Sequence, residues 1–390
     1  MPRRRMFLET NVVDAARARL RHVYDIGDTV CIQYSGGKDS TAVLHLAREI
    51  HEERNLGPVK VIFRDEEFLS PSIEKHINTV ASYDWVDMEW YCLPQAQEVW
   101  TLGLREPVLL WDKAREEEGR LFRPVPEGAI TAESFGLDPY KGIEKPIDHY
   151  TMQGKKGMTY FVTGVRAQES MIRYRSVVQK LNENYINRPY KLSKAIPMRF
   201  AKVIYDWGVN DVFKYIHDIG ADYCDFYDYA ALSGANQRVG IPLHSVAARR
   251  LEDVVWTEPE FYDQLLHCFP WVDAQRRLWK DFDTEKFLAR YVARGWDGIR
   301  DMIDYCMLTD EFKKEAMTFA HKWKQKHAID PHSYPLDALA RTLFLNEFRH
   351  TAPNPVGPKT RAHAIRMAAL ESEHQMDMDA DSLDMQDDNR

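Results

Sequence analysis

Six residues that can handle a phosphate stand together at 35–40: Ser35, Gly36, Gly37, Lys38, Asp39 and Ser40. They follow the apolar run Val30, Cys31, Ile32, Gln33, Tyr34 and precede the helix-forming stretch Thr41, Ala42, Val43, Leu44, His45, Leu46, Ala47. The pattern is a buried strand, a glycine turn and a helix. Two glycines let backbone N–H groups approach anionic oxygens closely, and the helix start adds a favourable dipole. Lys38 contributes a full positive charge, Asp39 suits Mg²⁺ or a water, and Ser35 and Ser40 offer hydroxyls. A Walker A loop is excluded, because Ile32 occupies the place of its first glycine and Asp39 follows the lysine where Ser or Thr is required.

This loop, in its strand–loop–helix context, resembles the pyrophosphate loop of the PP-loop ATP pyrophosphatases, within the adenine nucleotide alpha-hydrolase-like superfamily. The resemblance implies a grip on the β- and γ-phosphates of ATP and attack at the α-phosphorus. An ordinary glycine turn in an α/β domain is the plainer alternative.

The elements that must position the loop alternate between strand and helix, as in a parallel sheet covered on both faces. The spacing predicts a helix over 11–25, a strand over 29–34, a helix over 39–54 and a strand over 59–63. The second strand ends on Arg64, Asp65, Glu66 and Glu67, and Pro71 then opens a helix to about residue 82. Strands follow at 85–93 and 158–165, with 101–150 read as an irregular insertion rich in Pro, Gly and charge. The expected architecture is a doubly wound parallel α/β sheet over 1–250, then a helical C-terminal domain over 255–350. A tail over 351–390 is expected to be partly helical, then acidic and disordered. In the helical domain Trp271, Trp279, Phe287, Tyr291, Trp296, Phe312, Phe319 and Trp323 recur at helical spacing and are expected in its core.

A second cluster closes the strand over 158–165: Gly164, Val165 and Arg166, then Glu169, Arg173 and Arg175 on a helix. Ligands of open parallel sheets lie beyond the carboxyl ends of the strands, so this segment belongs to the same rim as the loop. Arg166 and Arg173 can each fork onto phosphate or sulfate oxygens. Glu169 and Arg173 are equally readable as an i,i+4 surface pair.

Gly164, Arg166 and Glu169, followed by Val203, Ile204, Tyr205, Asp206, Trp207 and Asp211, Val212, Phe213, Lys214, Tyr215, Ile216, resemble segments of the PAPS reductase family. Tyr223, Cys224, Asp225, Phe226, Tyr227, Asp228 are similar to that family's Y-N-x-L-Y segment, and Gln237, Arg238, Val239, Gly240 stand at its glycine turn. The likeness spans about 25–250 and is greatest to the immunoglobulin-binding-regulator type, whose members accompany a small ParB/sulfiredoxin-like partner. It implies a nucleotide site of residues 35–40 with Asp65, Gly164, Arg166, Glu169, Arg173, Asp206 and Arg238. Within it Lys38, Asp39 and Arg166 act in catalysis, and Asp39 holds Mg²⁺. Tyr205, Asp206 and Trp207 also suit an N-cap and staple of the following helix.

Cysteine chemistry departs from the reductases. The five cysteines (Cys31, Cys92, Cys224, Cys268, Cys306) form no C-x-x-C pair, and none follows Cys306, so neither a thiolate nucleophile nor an iron–sulfur cluster is expected. The expectation is an ATP- and Mg²⁺-dependent enzyme that adenylylates an acceptor, sulfate or another sulfur-metabolism substrate. A sulfonucleotide (PAPS or APS) reductase and a non-catalytic nucleotide-sensing regulator are the alternatives.

The formal charge of −8 over 390 residues resides almost wholly in 371–390, where eight acids face Arg390 alone. The near-neutral remainder gives no support for nucleic-acid binding. No stretch nears the roughly 20 apolar residues of a membrane span. Arg3, Arg4 and Arg5 precede no apolar h-region, so a cytoplasmic location is expected.

Overall fold

The computed structural model describes residues 9–140, 157–178, 185–187, 197–233, 242–243, 248, 251–307, 309–345, 347–349, 352–362 and 365–366. They divide into two compact units. Unit 1 comprises 1–97, 109–242 and 250–270, and unit 2 comprises 98–108, 243–249 and 271–390. The hairpin segment 98–108 and residues 243–249 thus fall with the C-terminal helices, and 250–270 with the sheet. The acidic segment 371–390 lies outside the described residues.

In unit 1 the strands are β1 (Thr29–Tyr34), β2 (Val59–Arg64), β3 (Val86–Cys92), β6 (Ile130–Thr131), β7 (Thr159–Thr163), β8 (Ile186–Asn187) and β9 (Met198–Ala201), in the order β6-β3-β2-β1-β7-β9-β8. All pairs are parallel except β8 with β9. The fold is therefore the expected mostly parallel α/β sheet. Strand order reverses between β1 and β7, the place where open sheets of this kind bind ligands.

Burial explains the centre of the sheet. Ile32 and Tyr34 of β1 pack with Val43, Ala47 and Ile50 of α2 (Lys38–Arg54), while Cys31 packs with Ile62 and Phe161 on the opposite face. Side chains alternate across a strand, so β1 is apolar on both faces because helices or loops cover both. Helix α1 (Val12–Ile26) begins at Asn11, whose side chain caps the Asp14 N–H, and buries Ala16, Leu20 and Val23. Helix α3 (Pro71–Ala81) starts with proline at its first position and turns Ile73, Ile77 and Val80 inward.

The expected irregular insertion is more ordered than its composition implied. β4 (Gln95–Thr101) pairs with β5 (Leu104–Leu110) around Leu102 and Gly103, at φ 46° and 94°. Two successive positive φ values make the tight hairpin turn, a geometry that Asn-Gly advertises and Leu-Gly does not. Helix α4 (Lys113–Glu117) and strand β6 follow; residues 141–156 lie outside the described residues.

Among the described residues five further helices belong to unit 1: α5 (Met171–Val178), α6 (Val209–Asp218), α7 (Phe226–Ser233), α8 (Leu251–Thr257) and α9 (Pro259–Cys268). Unit 2 is helical as expected, with α10 (Val272–Leu278), α11 (Thr284–Val292), α12 (Gly295–Cys306), α13 (Asp310–Ile329) and α14 (Leu336–Phe344). Phe312, Phe319 and Trp323 are buried there, and Trp100 of the hairpin packs edge-on against Trp279 and Phe344. Trp271 departs from the expected core: it lies at the start of α10 and is 40% exposed.

Candidate nucleotide site

The turn from β1 into α2 is fixed by short internal bonds. Ser40 Oγ donates to the Gly37 carbonyl at 2.8 Å and accepts from the Ser35 N–H at 3.2 Å, with Ser35 Oγ 3.1 Å away. Gly36 has φ +72°, and a Cβ there would meet Ile73 Cγ2 at 2.9 Å, so conformation and space both require glycine. Gly37 is the N-cap of α2 and supplies no side-chain cap. A helix start left without a cap presents N–H groups to an anion.

Charges alternate across this start. Lys38, almost fully buried, points its Nζ at Asp39 Oδ2 (3.3 Å) and lies over the Tyr227 ring, 5.1 Å from its centroid. Asp39 Oδ1 accepts from Arg166 Nε at 2.6 Å. Arg166 reaches Glu169 at 3.8 Å, and Glu169 also pairs closely with Arg173. Three cations are thus threaded on two carboxylates at the switch point of the sheet. Asp39 is 17% exposed and Arg166 only 7%, so these pairs are less screened than surface ones.

Gly164 lets the two clusters meet. A Cβ on it would lie 2.7 Å from the Asp39 carbonyl carbon and 2.8 Å from the Ser40 nitrogen. The end of β7 therefore rests directly on the first turn of α2. Residues 35–40, Gly164, Arg166, Glu169 and Arg173 are thereby brought together in one cluster.

Two expected members, Asp65 and Asp206, have other partners, and a third lies outside the described residues. The Asp65 carboxylate is buried and accepts from Trp90 Nε1 and the Glu67 N–H, while Arg123 pairs closely with it. Burial, opposed by Arg123, raises its pKa above the usual carboxylate range. Its oxygens are thus engaged by Trp90, the Glu67 N–H and Arg123. Asp206 receives both Arg19 nitrogens, at 2.8 and 2.7 Å, and joins α1 to the segment before α6. That carboxylate faces an arginine of α1, not the loop. Arg238 lies outside the described residues.

Sequence reasoning missed three features. Glu67, fully buried at φ +60°, accepts from the backbone of Trp111 and Phe122 and from both terminal nitrogens of Arg115. With Asp65–Arg123 it holds 111–123 against the carboxyl end of β2. Behind the loop, Tyr34 Oη lies 2.8 Å from His76 Nε2, and Thr41 Oγ1 donates to the Gly37 carbonyl at 3.2 Å. The third missed residue is Tyr227, whose oxygen accepts the Lys38 N–H at 3.0 Å.

Among the described residues no group of three or more His, Cys, Asp or Glu side chains is arranged to hold a metal ion. Magnesium bound with ATP needs no such cage, since one carboxylate and phosphate oxygens suffice. Asp39 fits that role as the partly exposed carboxylate of the loop. Cys31, Cys92, Cys224 and Cys306 are buried; burial pushes Cys224 up to about 12 and raises Cys92 and Cys268 as well. No helix among the described residues is long and apolar enough to cross a membrane.

A profile described as the phosphoadenosine phosphosulfate reductase domain matches residues 29–240. A curated relative, the uncharacterized protein YbdN of Escherichia coli, is 26% identical over 226 residues, covering 53% of this chain and 52% of that one. The chain thus spans about half the length of that relative. Among solved structures, phosphoadenylyl-sulfate reductase from Candida auris aligns over 60% of this chain and 97% of its own, at 14% identity and a TM-score of 0.34. The FMN adenylyltransferase of Candida glabrata, with FAD and inorganic pyrophosphate, aligns over 56% and 60%, at 12% identity and a TM-score of 0.35.

Proposed function

The chain belongs to the phosphoadenosine phosphosulfate reductase domain family, and from that premise we propose that it is a member that uses ATP to adenylylate an acceptor. The observation that carries this reading is the joined Lys38–Asp39–Arg166 cluster at the start of α2, where Gly37 supplies no side-chain cap. In the proposed reaction the helix N–H groups and Lys38 hold the β- and γ-phosphates. An anionic oxygen of the acceptor attacks the α-phosphorus. The bond to the bridging oxygen breaks, and pyrophosphate leaves with the electron pair. Lys38 and Arg166 stabilise charge that grows on the leaving group and the α-phosphoryl oxygens, so catalysis is mostly positioning and electrostatics. Asp39 would hold Mg²⁺ here, and the ion would supply further charge neutralisation.

The cysteines argue against reduction of a sulfonucleotide. That chemistry needs an accessible thiolate, whereas burial raises the pKa of the Cys92, Cys224 and Cys268 thiols. A sulfate-like oxyanion is the proposed acceptor class. Likeness to the immunoglobulin-binding-regulator type adds a ParB/sulfiredoxin-like protein as the proposed partner.

Pyrophosphate release from ATP and Mg²⁺, measured by a coupled assay across sulfate and carboxylate acceptors, tests the reading. Release that depends on an acceptor and falls about 10²-fold or more in both Lys38→Ala and Asp39→Ala supports it. Turnover unaffected by either substitution overturns it.

A further inference from the structure

Tyr227 meets the first residue of α2, yet its hydroxyl is only half used. The residue is 3% exposed, on the first turn of α7. Its oxygen accepts the Lys38 N–H at 3.0 Å, and a Cβ on Gly37 would lie 3.3 Å from it. The ring packs edge-on against Phe213 and lies beneath the Lys38 ammonium. Burial drives its pKa far above the ordinary tyrosine value, so the group keeps its proton at any physiological pH. That proton has no acceptor among the described residues. A buried hydroxyl ordinarily finds partners for its donor as well as its oxygen. Around it lie a helix start without a side-chain cap and the cationic end of Lys38, a setting that attracts negative oxygen.

We propose that Tyr227 is a ligand-binding residue: its O–H donates to an oxygen of the pyrophosphate group held by the loop, while its oxygen keeps the Lys38 amide in place. The proposal rests on the loop being the phosphate site and assigns that site a donor from a second element. One phenol then ties loop, lysine and ligand together. Ligand binding is thereby coupled to the position of α7.

Isothermal titration of the full chain with inorganic pyrophosphate, and separately with ATP and Mg²⁺, against Tyr227→Phe tests this. The phenylalanine keeps the ring under Lys38 and removes only the hydroxyl. The expected result is an affinity for both ligands lowered about tenfold or more, as for loss of a hydrogen bond to a charged group, with the circular dichroism spectrum unchanged. Affinity within threefold of the wild type overturns the assignment to Tyr227 and leaves the loop reading intact. A wild-type chain that binds neither ligand overturns the loop reading, and Tyr227 falls with it. Should Tyr227→Phe fail to fold, Tyr227→Leu, which is smaller and likewise carries no donor, supplies the measurement, with the same threshold.

Discussion

Replacing Gly164 by alanine places a methyl carbon 2.7 Å from the Asp39 carbonyl carbon, 2.8 Å from the Ser40 nitrogen and 2.9 Å from the Asp39 oxygen. These are backbone atoms of the first turn of α2, so no side chain can swing aside. The conflict is resolved only by moving the end of β7 away from the loop or by moving the loop itself. Overpacking of this kind costs about 1–3 kcal/mol, which at about 2–4 °C per kcal/mol lowers the melting temperature of a unit this size by about 2–12 °C. Function suffers more. Arg166 is two residues beyond Gly164 and bonds to Asp39 at 2.6 Å, and a misplacement of about 1 Å in a catalytic array can cost about 10²-fold in rate. Differential scanning fluorimetry and acceptor-dependent pyrophosphate release, run side by side, read both effects. Gly57→Ala is the control: nothing lies within 4 Å of its would-be Cβ, and its φ is not positive, so it is neutral or stabilising by about 0.4–1 kcal/mol. If Gly164→Ala matches the wild type in both assays, the packing of β7 on the loop is not what brings Arg166 to Asp39.

Three further outcomes follow from the same contacts. Arg115→Met leaves Glu67 buried with only the backbone donors of Trp111 and Phe122, and loss of one partner of a buried pair costs about 3–5 kcal/mol; a shift under 1 kcal/mol in urea unfolding would show that the pair does not anchor 111–123. Asp206→Ala removes the carboxylate that receives Arg19, so it lowers thermal stability while ATP affinity stays within about threefold of wild type; a large loss of affinity would return Asp206 to the nucleotide site. His45 is held neutral by burial, with Arg48 adding to the effect against Asp222 and Glu49, and its pKa falls to about 4. The unfolded chain takes up that proton first, near pH 6.5, so stability present above this value is lost as pH falls toward 4, by up to about 3 kcal/mol. His76 is lowered too and acts in the same direction. Urea midpoints between pH 4 and 7 should steepen less in His45→Phe than in the wild type; parallel curves would remove His45 from the explanation.

Local chemistry is what the sequence made readable. The loop, its flanking strand and helix, and the spacing of Gly164, Arg166, Glu169 and Arg173 are set by residues close together in the chain, and the structure keeps them together. The two carboxylates read differently. Asp65 lies at a strand end on the correct rim, but its orientation depends on Arg123, Trp90 and the Glu67 N–H, and no local pattern announces a pairing 58 residues apart. Asp206 depends likewise on Arg19, 187 residues away. The hairpin around Leu102 and Gly103 went unread because leucine gives no sign of adopting a positive φ. Tyr227 was visible only as one aromatic among several, since nothing in its own segment says that its oxygen meets the Lys38 amide.

The central claim is that chemistry occurs at the α-phosphorus of ATP. The most direct measurement incubates the full chain with α-labelled ATP, Mg²⁺ and sulfate-like acceptors, and follows the label beside unlabelled 3′-phosphoadenylyl sulfate with a thiol reductant. The account predicts label in AMP or an adenylylated product, matched by pyrophosphate and abolished in Lys38→Ala, with no sulfite. Label that stays in ATP while sulfite accumulates would contradict it.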